Sequence, residues 1–165
     1  MYSIRKSQTE DLACLLKIYA AARERMAAAG NSKQWGNEDP PYPVEALLRD
    51  DIEKGNSYVI YDEDPAHIIG TFYYYEGVDP TYLEINGQWI NDEAYGTIHR
   101  IASDGKASGI VARATQFALD KNPNVRVDTH RDNKAMLAAL YNAGYDFCGH
   151  IKTRDGSERL AFQLA

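Results

Sequence analysis

The run "TIHRIASDGKASGIVARATQFALDKNPNVRVDTHRDNKAMLAALYNAGY", residues 97–145, constrains the fold more than any other part of the chain. It reads as an apolar strand, a turn of small residues, a helix, a second strand and a second helix. Two strands joined through a helix predict a parallel crossover inside one sheet. Between TIHRIA and the first helix lies SDGKASG, residues 103–109. Small residues there let the backbone approach a ligand, and the N–H groups that open a helix lack intrahelical partners. With the helix dipole they suit a phosphate or pyrophosphate, and Lys106 adds a charge. A turn rich in glycine and serine is also a common connector that binds nothing. The run contains neither GxxxxGK[ST] nor GxGxxG, so the residues alone leave both readings open.

The remaining pattern surrounds this unit. YSIR (2–5) is a short strand, and a helix follows with Ser7 and Glu10 spaced as a capping box and an apolar stripe of Leu12, Leu15, Leu16, Tyr19 and Ala22. Gly30 closes it, a proline-broken loop carries Trp35, and residues 44–55 form a second amphipathic helix. Strands at 57–62 and 67–76 make a hairpin, and residues 78–95 form an irregular connection holding Tyr82, Trp89 and Tyr95. Asp155-Gly156 marks the turn of a closing hairpin. The predicted order is β-αα-β-β-β-α-β-α-β-β, an α/β (α+β) fold with a mixed central sheet flanked by helices.

Length and composition narrow the function. A chain of 165 residues is expected to be one domain, 1–165. The formal charge of −6 argues against nucleic acid as the main partner and favours a cationic small molecule. No apolar run approaches the ~20 residues of a membrane span, and MYSIRKSQTED lacks the apolar centre of a signal peptide, so no membrane partner and a cytoplasmic location are expected. Cys14 and Cys148 show no metal-ligand spacing and read as two buried free thiols, with no metal site. Edge strands near the C-terminus offer a contact for a homodimer.

Two segments then carry a resemblance. "IHRIASDGKASGIVARATQFA" resembles the acetyl-CoA-binding strand–loop–helix of the GCN5-related N-acetyltransferase (GNAT) superfamily, and "RVDTHRDNKAMLAALYNAGYDFCG" resembles its next strand and helix. The run DPTY…W…Y…IHRIA is similar to a group of small bacterial members. The resemblance implies a GNAT-like fold, acetyl-CoA (coenzyme A) as co-substrate, and direct acetyl transfer to an amine, here of a small molecule. It implies that Ile101 and Ala102 pair with the pantetheine arm, and that the loop of Ser103, Gly105, Lys106, Ala107, Ser108, Gly109 and Ile110 holds the pyrophosphate. Asp104 stands where the family has a basic or amide residue, and Ala107 where it has its first glycine. Asn133 would bond the arm or cap its helix. The family's tyrosine acid falls on Leu140, so Tyr141, the next residue, is the candidate.

His99 is the candidate base, since alternation puts it on the strand face of Thr97 and Ile101, and its reference pKa near ~6.5 suits proton relay. His130 and Asp128 form a second pair, more structural than catalytic. Trp35, Tyr82, Trp89 and Tyr95 are expected to bind the acceptor, with Glu84 and Glu93 as attracting acids. The rival functions are a non-catalytic CoA-binding module and a peptide or protein N-acetyltransferase.

Overall fold

The computed structural model describes residues 1–35 and 39–165. Its elements are β1 (Ser3–Lys6), α1 (Leu12–Ala28), α2 (Glu45–Glu53), β2 (Ser57–Tyr61), β3 (Ile68–Glu76), β4 (Asn86–Gly87), β5 (Gly96–Ser103), α3 (Ile110–Leu119), β6 (Val125–Thr129), α4 (Lys134–Asn142), β7 (Asp146–Lys152) and β8 (Glu158–Leu164). The predicted order holds, with β4 inserted into what reads as an irregular connection. The fold is mixed α/β, and its strands are mostly antiparallel. Two compact units share the chain: Met1–Tyr74 with Arg100–Ile110, and Tyr75–His99 with Val111–Ala165.

In the first unit β1 pairs antiparallel with β2 and β2 with β3. The end of β5 is tied in where Asp104 N–H donates to Ile69 O at 2.9 Å. Leu12, Leu15, Ile18, Tyr19 and Ala22 recur at helical spacing on α1 and bury against Leu48, Val59, Ile68 and Ala102. A fully buried leucine such as Leu15 is worth roughly 1.5–3 kcal/mol of transfer free energy. The helix start differs from the predicted Ser7/Glu10 box. Ser7 Oγ lies 2.7 Å from Ser57 Oγ, and Gln8 N–H donates instead to Asp11 Oδ2 at 2.7 Å. Arg5 holds that carboxylate at 2.7 and 3.0 Å, so a 3-10 turn at Thr9–Asp11 precedes α1.

In the second unit β5 runs parallel to β6, with Gly96 opposite Val125 and Thr97 opposite Arg126, which is the predicted crossover. β6 pairs with β8, β8 with β7, and β7 with β4, all antiparallel. β8 is flanked by β6 and β7, whereas two-residue β4 pairs with β7 only at Asn86–His150 and Gly87–Gly149, which leaves most of β7 without a strand on that side. Tyr82, Trp89 and Tyr95 pack with Ile151 and Ala161 as this unit's apolar cluster.

Candidate active site

Side chains two apart on a strand share a face. Parallel pairing of Thr97 with Arg126 therefore brings Thr97 and His99 of β5 to the same side as Arg126 and Asp128 of β6. The 79–95 connection covers that face. His99 Nε2 lies 2.7 Å from Asp79 Oδ2, and His99 Nδ1 lies 3.6 Å from Asp128 Oδ1. One imidazole thus sits between two carboxylates.

Each carboxylate is itself held. Asp79 caps a 3-10 turn, Pro80–Tyr82, and its Oδ1 accepts from Thr81 N at 2.9 Å and Thr81 Oγ1 at 2.7 Å. Asp79 N–H donates to Tyr95 Oη at 2.9 Å. Burial opposes ionisation of Asp79, but the bonds from His99 and Thr81 outweigh it and pull the carboxyl down to about 2. Tyr82 Oη donates to Asp128 Oδ1 at 2.6 Å, and burial beside that acid pushes the phenol well above its ordinary value. The Arg126 guanidinium is centred 4.1 Å from the Trp89 ring and 4.0 Å from the Tyr95 ring, a cation held between aromatic faces.

Tyr82, Trp89 and Tyr95, expected to bind the acceptor, are packed into this unit's apolar cluster. They are 2, 9 and 8% exposed, and their polar ends are engaged within the unit: Trp89 Nε1–H donates to Tyr82 O at 3.0 Å. They support the two carboxylates that flank His99. Trp35, the fourth, is half-buried and meets Tyr19 edge-on at 5.6 Å. Glu84 and Glu93 are exposed. Asp79 is the residue that sequence reasoning missed. Its signal was present in D-P-T, an acidic cap before a proline at the first helical position. Asp128 turns to Tyr82 and His99, whereas His130 Nδ1 accepts from Asp132 N–H at 3.0 Å.

Directly after His99, Arg100 has φ of 50°, a left-handed backbone that breaks the simple alternation expected to align His99 with Ile101. Its side chain is locked by Asp51 at 2.9 and 2.8 Å, by Tyr42 Oη at 3.2 Å and by the Tyr73 ring at 4.4 Å. Tyr19 Oη donates to its carbonyl at 2.6 Å. Ile101 is half-buried, and Ala102 belongs to the first core.

The loop after Ser103 turns on Asp104, whose Oδ1 accepts from Lys106 N–H at 2.9 Å and Ala107 N–H at 3.0 Å. Ser103 Oγ accepts from Gly105 N–H at 3.2 Å, and Arg25 Nη2 donates to Ser103 O at 2.6 Å. The loop's own carboxylate thus takes two donors that an anion would use. Lys106, Ser108 and Gly109 are exposed, Ile110 opens α3, and space is clear within 4 Å of where a Gly109 side chain would begin. At its Ser108–Ile110 end the loop runs into the first turn of α3, whose N–H groups have no intrahelical partners.

On α4, Asn133 Oδ1 accepts from Met136 N–H at 3.1 Å, the capping alternative. Leu140 is fully buried, while Tyr141 is 57% exposed with its ring edge-on to Phe162 at 5.5 Å. Cys14 and Cys148 are free and half-buried rather than buried, and desolvation pushes both thiols up.

No protein-family model matches the chain, and no curated protein does. Solved structures do. An acetyltransferase of the GNAT family from Streptococcus agalactiae 2603 is 28% identical over 99% of this chain and 94% of that one, with a TM-score of 0.87. A GNAT-family acetyltransferase from Listeria monocytogenes 4b F2365 is 17% identical over 98% and 93%, with a TM-score of 0.70. A chain of the NatC complex, bound to Gag peptide and CoA, is 16% identical over 99% and 97%, with a TM-score of 0.62. The first likeness extends to sequence along nearly the whole chain, and the fold is that of the GNAT-family acetyltransferases.

Proposed function

We propose that residues 1–165 act as one acetyl-CoA-dependent N-acetyltransferase domain that passes an acetyl group directly to the amine of a small molecule. The observation that carries this reading is the His99 site. Asp79 Oδ2, 2.7 Å from Nε2, orients the His99 ring, and an imidazole so held is the proposed acceptor of the proton an amine must lose before it attacks. Bound acetyl-CoA would supply the thioester. Backbone groups of Ile101 and Ala102 would hold its pantetheine arm, with Asn133 nearby in role, and Ser103, Gly105, Lys106, Ala107, Ser108, Gly109 and Ile110 would receive its pyrophosphate. Tyr141 is the proposed proton donor to the departing thiolate, and Trp35 an acceptor contact. Cys14 and Cys148, with thiols pushed up by burial, make poor nucleophiles, which favours direct attack.

Calorimetric titration with CoA and acetyl-CoA, in the parent and in Gly109→Glu, tests the cofactor. Micromolar binding that the variant loses is expected; no binding in the parent rejects the reading. A panel of amines and peptides then tests transfer. The peptide-bound likeness favours a second reading, a peptide or protein N-acetyltransferase, which faster turnover on peptides than on free amines would establish. Asp104, anchored on two loop N–H groups, favours a third, a CoA-binding module without transfer. Tight CoA binding with no acceptor turned over would support that one.

A further inference from the structure

We infer that Arg25, from the last turn of α1, is an anion-binding residue of the loop after β5: its guanidinium, laid against Gly105, grips the diphosphate that the loop is proposed to receive. The inference rests on the coenzyme A reading and adds to it a residue from another element. The need for it comes from the loop's own bonds. Asp104 N–H donates to Ile69 O at 2.9 Å, and Gly105 N–H donates to Ser103 Oγ at 3.2 Å. Lys106 and Ala107 N–H donate to Asp104 Oδ1 at 2.9 and 3.0 Å. The backbone donors of residues 104–107 are therefore all engaged inside the protein. Asp104 also brings a negative charge to this end of the loop. An anion there depends on side-chain cations, and Lys106 and Arg25 are both exposed beside it.

Arg25 is held in place before any ligand arrives. Its Nη2 donates to Ser103 O at 2.6 Å. A side chain on Gly105 would begin 2.8 Å from Arg25 Nη1, 3.1 Å from Cζ and 3.3 Å from Nε, so the guanidinium lies where only a glycine leaves room. Gly105 is thus required both for this contact and for its φ of 83°. Arg25 forms no ion pair with an acid, and its Nη1 and Nε have no hydrogen-bond partner among the described residues. An exposed arginine ordinarily samples many rotamers, whereas this fork is fixed with donors to spare. A fork so placed meets two phosphate oxygens at once. An arginine in a last turn also faces the negative end of its helix dipole. That role needs neither the bond to Ser103 nor a bare glycine beneath the guanidinium.

The test titrates the full chain with CoA, dephospho-CoA and inorganic pyrophosphate, in the parent, Arg25→Gln and Arg25→Lys, at low and high salt. Calorimetry reads affinity, and NMR follows the Nε–H signal of Arg25, assigned by its loss in either variant. In the parent all three ligands are expected to shift that signal saturably, while sodium chloride of equal ionic strength leaves it in place. Arg25→Gln should bind CoA about tenfold more weakly at low salt, with the deficit shrinking as salt rises, and Arg25→Lys should recover part of it. A residue that only ties down the loop gives a deficit that salt leaves unchanged. That result, equal affinity in parent and Arg25→Gln, or an unmoved Nε–H signal with CoA bound overturns the inference. A shift with CoA that dephospho-CoA does not give assigns Arg25 to the ribose phosphate and overturns the diphosphate contact. The NMR titration reads the parent protein, so a variant that misfolds does not blunt it. CoA bound by the parent with Arg25 unmoved sinks the role of Arg25 alone. Pyrophosphate moving Arg25 with no CoA binding in the parent sinks the cofactor reading alone.

Discussion

With Nε2 held 2.7 Å from Asp79 Oδ2, the chemistry of His99 depends on an acid twenty residues away in sequence. Asp79→Asn preserves shape but replaces the carboxylate that orients the ring with an amide. Acetyl transfer is expected to fall by ~10²-fold or more in kcat, with CoA affinity unchanged. His99→Asn should fall by a similar factor, and the double variant by little more than either single one, because the two act as a unit. Additive losses would show that Asp79 only props up the fold. The place of His99 beside Thr97 on one face of β5 was legible from strand alternation. The partner of His99 was not, since nothing in a local pattern says that the cap of an irregular turn folds onto a strand. The same blindness explains Tyr82, Trp89 and Tyr95: aromatics in a loop read as binding surface, and only the tertiary packing reveals them as a core beneath two carboxylates.

At the level of elements, the helices and the crossover were legible because periodicity survives without tertiary knowledge, as the buried stripe of α1 shows. β4 was not, because two residues reading Asn-Gly suggest a turn. The pairing forms because Gly87 and Gly149 face each other at close range, Gly87 with φ of 142° and Gly149 with φ of 148°. A side chain on Gly87 would begin 2.2 Å from Cys148 O. Gly87→Ala is expected to cost about 2–3 kcal/mol in urea unfolding and to speed amide exchange at Gln88, whose N–H donates to Cys148 O. Exchange at Gln88 as slow as in the parent would show that the strand adapts. The loop after β5 carries its own prediction. Asp104→Asn keeps an acceptor for Lys106 and Ala107 N–H but removes a charge beside the expected pyrophosphate. CoA should bind about fivefold tighter, by roughly 1 kcal/mol, with the gain shrinking as salt rises. Weaker binding would mean that the anion does not approach this end of the loop.

For the whole molecule, the same acid that positions His99 makes folding sensitive to low pH. The carboxyl of Asp79 lies near 2 in the folded chain against an ordinary 3.8. A carboxyl depressed by folding binds its proton more readily when unfolded, so protonation favours the unfolded chain. Its contribution is complete above about pH 5 and drains away as pH falls toward 2, about 2 kcal/mol in all. Asp11 adds to the same side, because the hydrogen bond from Arg5 outweighs burial and lowers its carboxyl too. Urea unfolding measured from pH 7 down to pH 2 should therefore show Asp79→Asn less stable than the parent at neutral pH, with the two curves converging as the acid is protonated. A gap that persists undiminished at pH 2 would mean that the hydrogen bonds of Asp79 stabilise the fold without its charge. Its effect on His99 would then be one of shape and tautomer alone, and the ionised carboxylate would have no part in stabilising the imidazolium formed when His99 accepts the amine's proton.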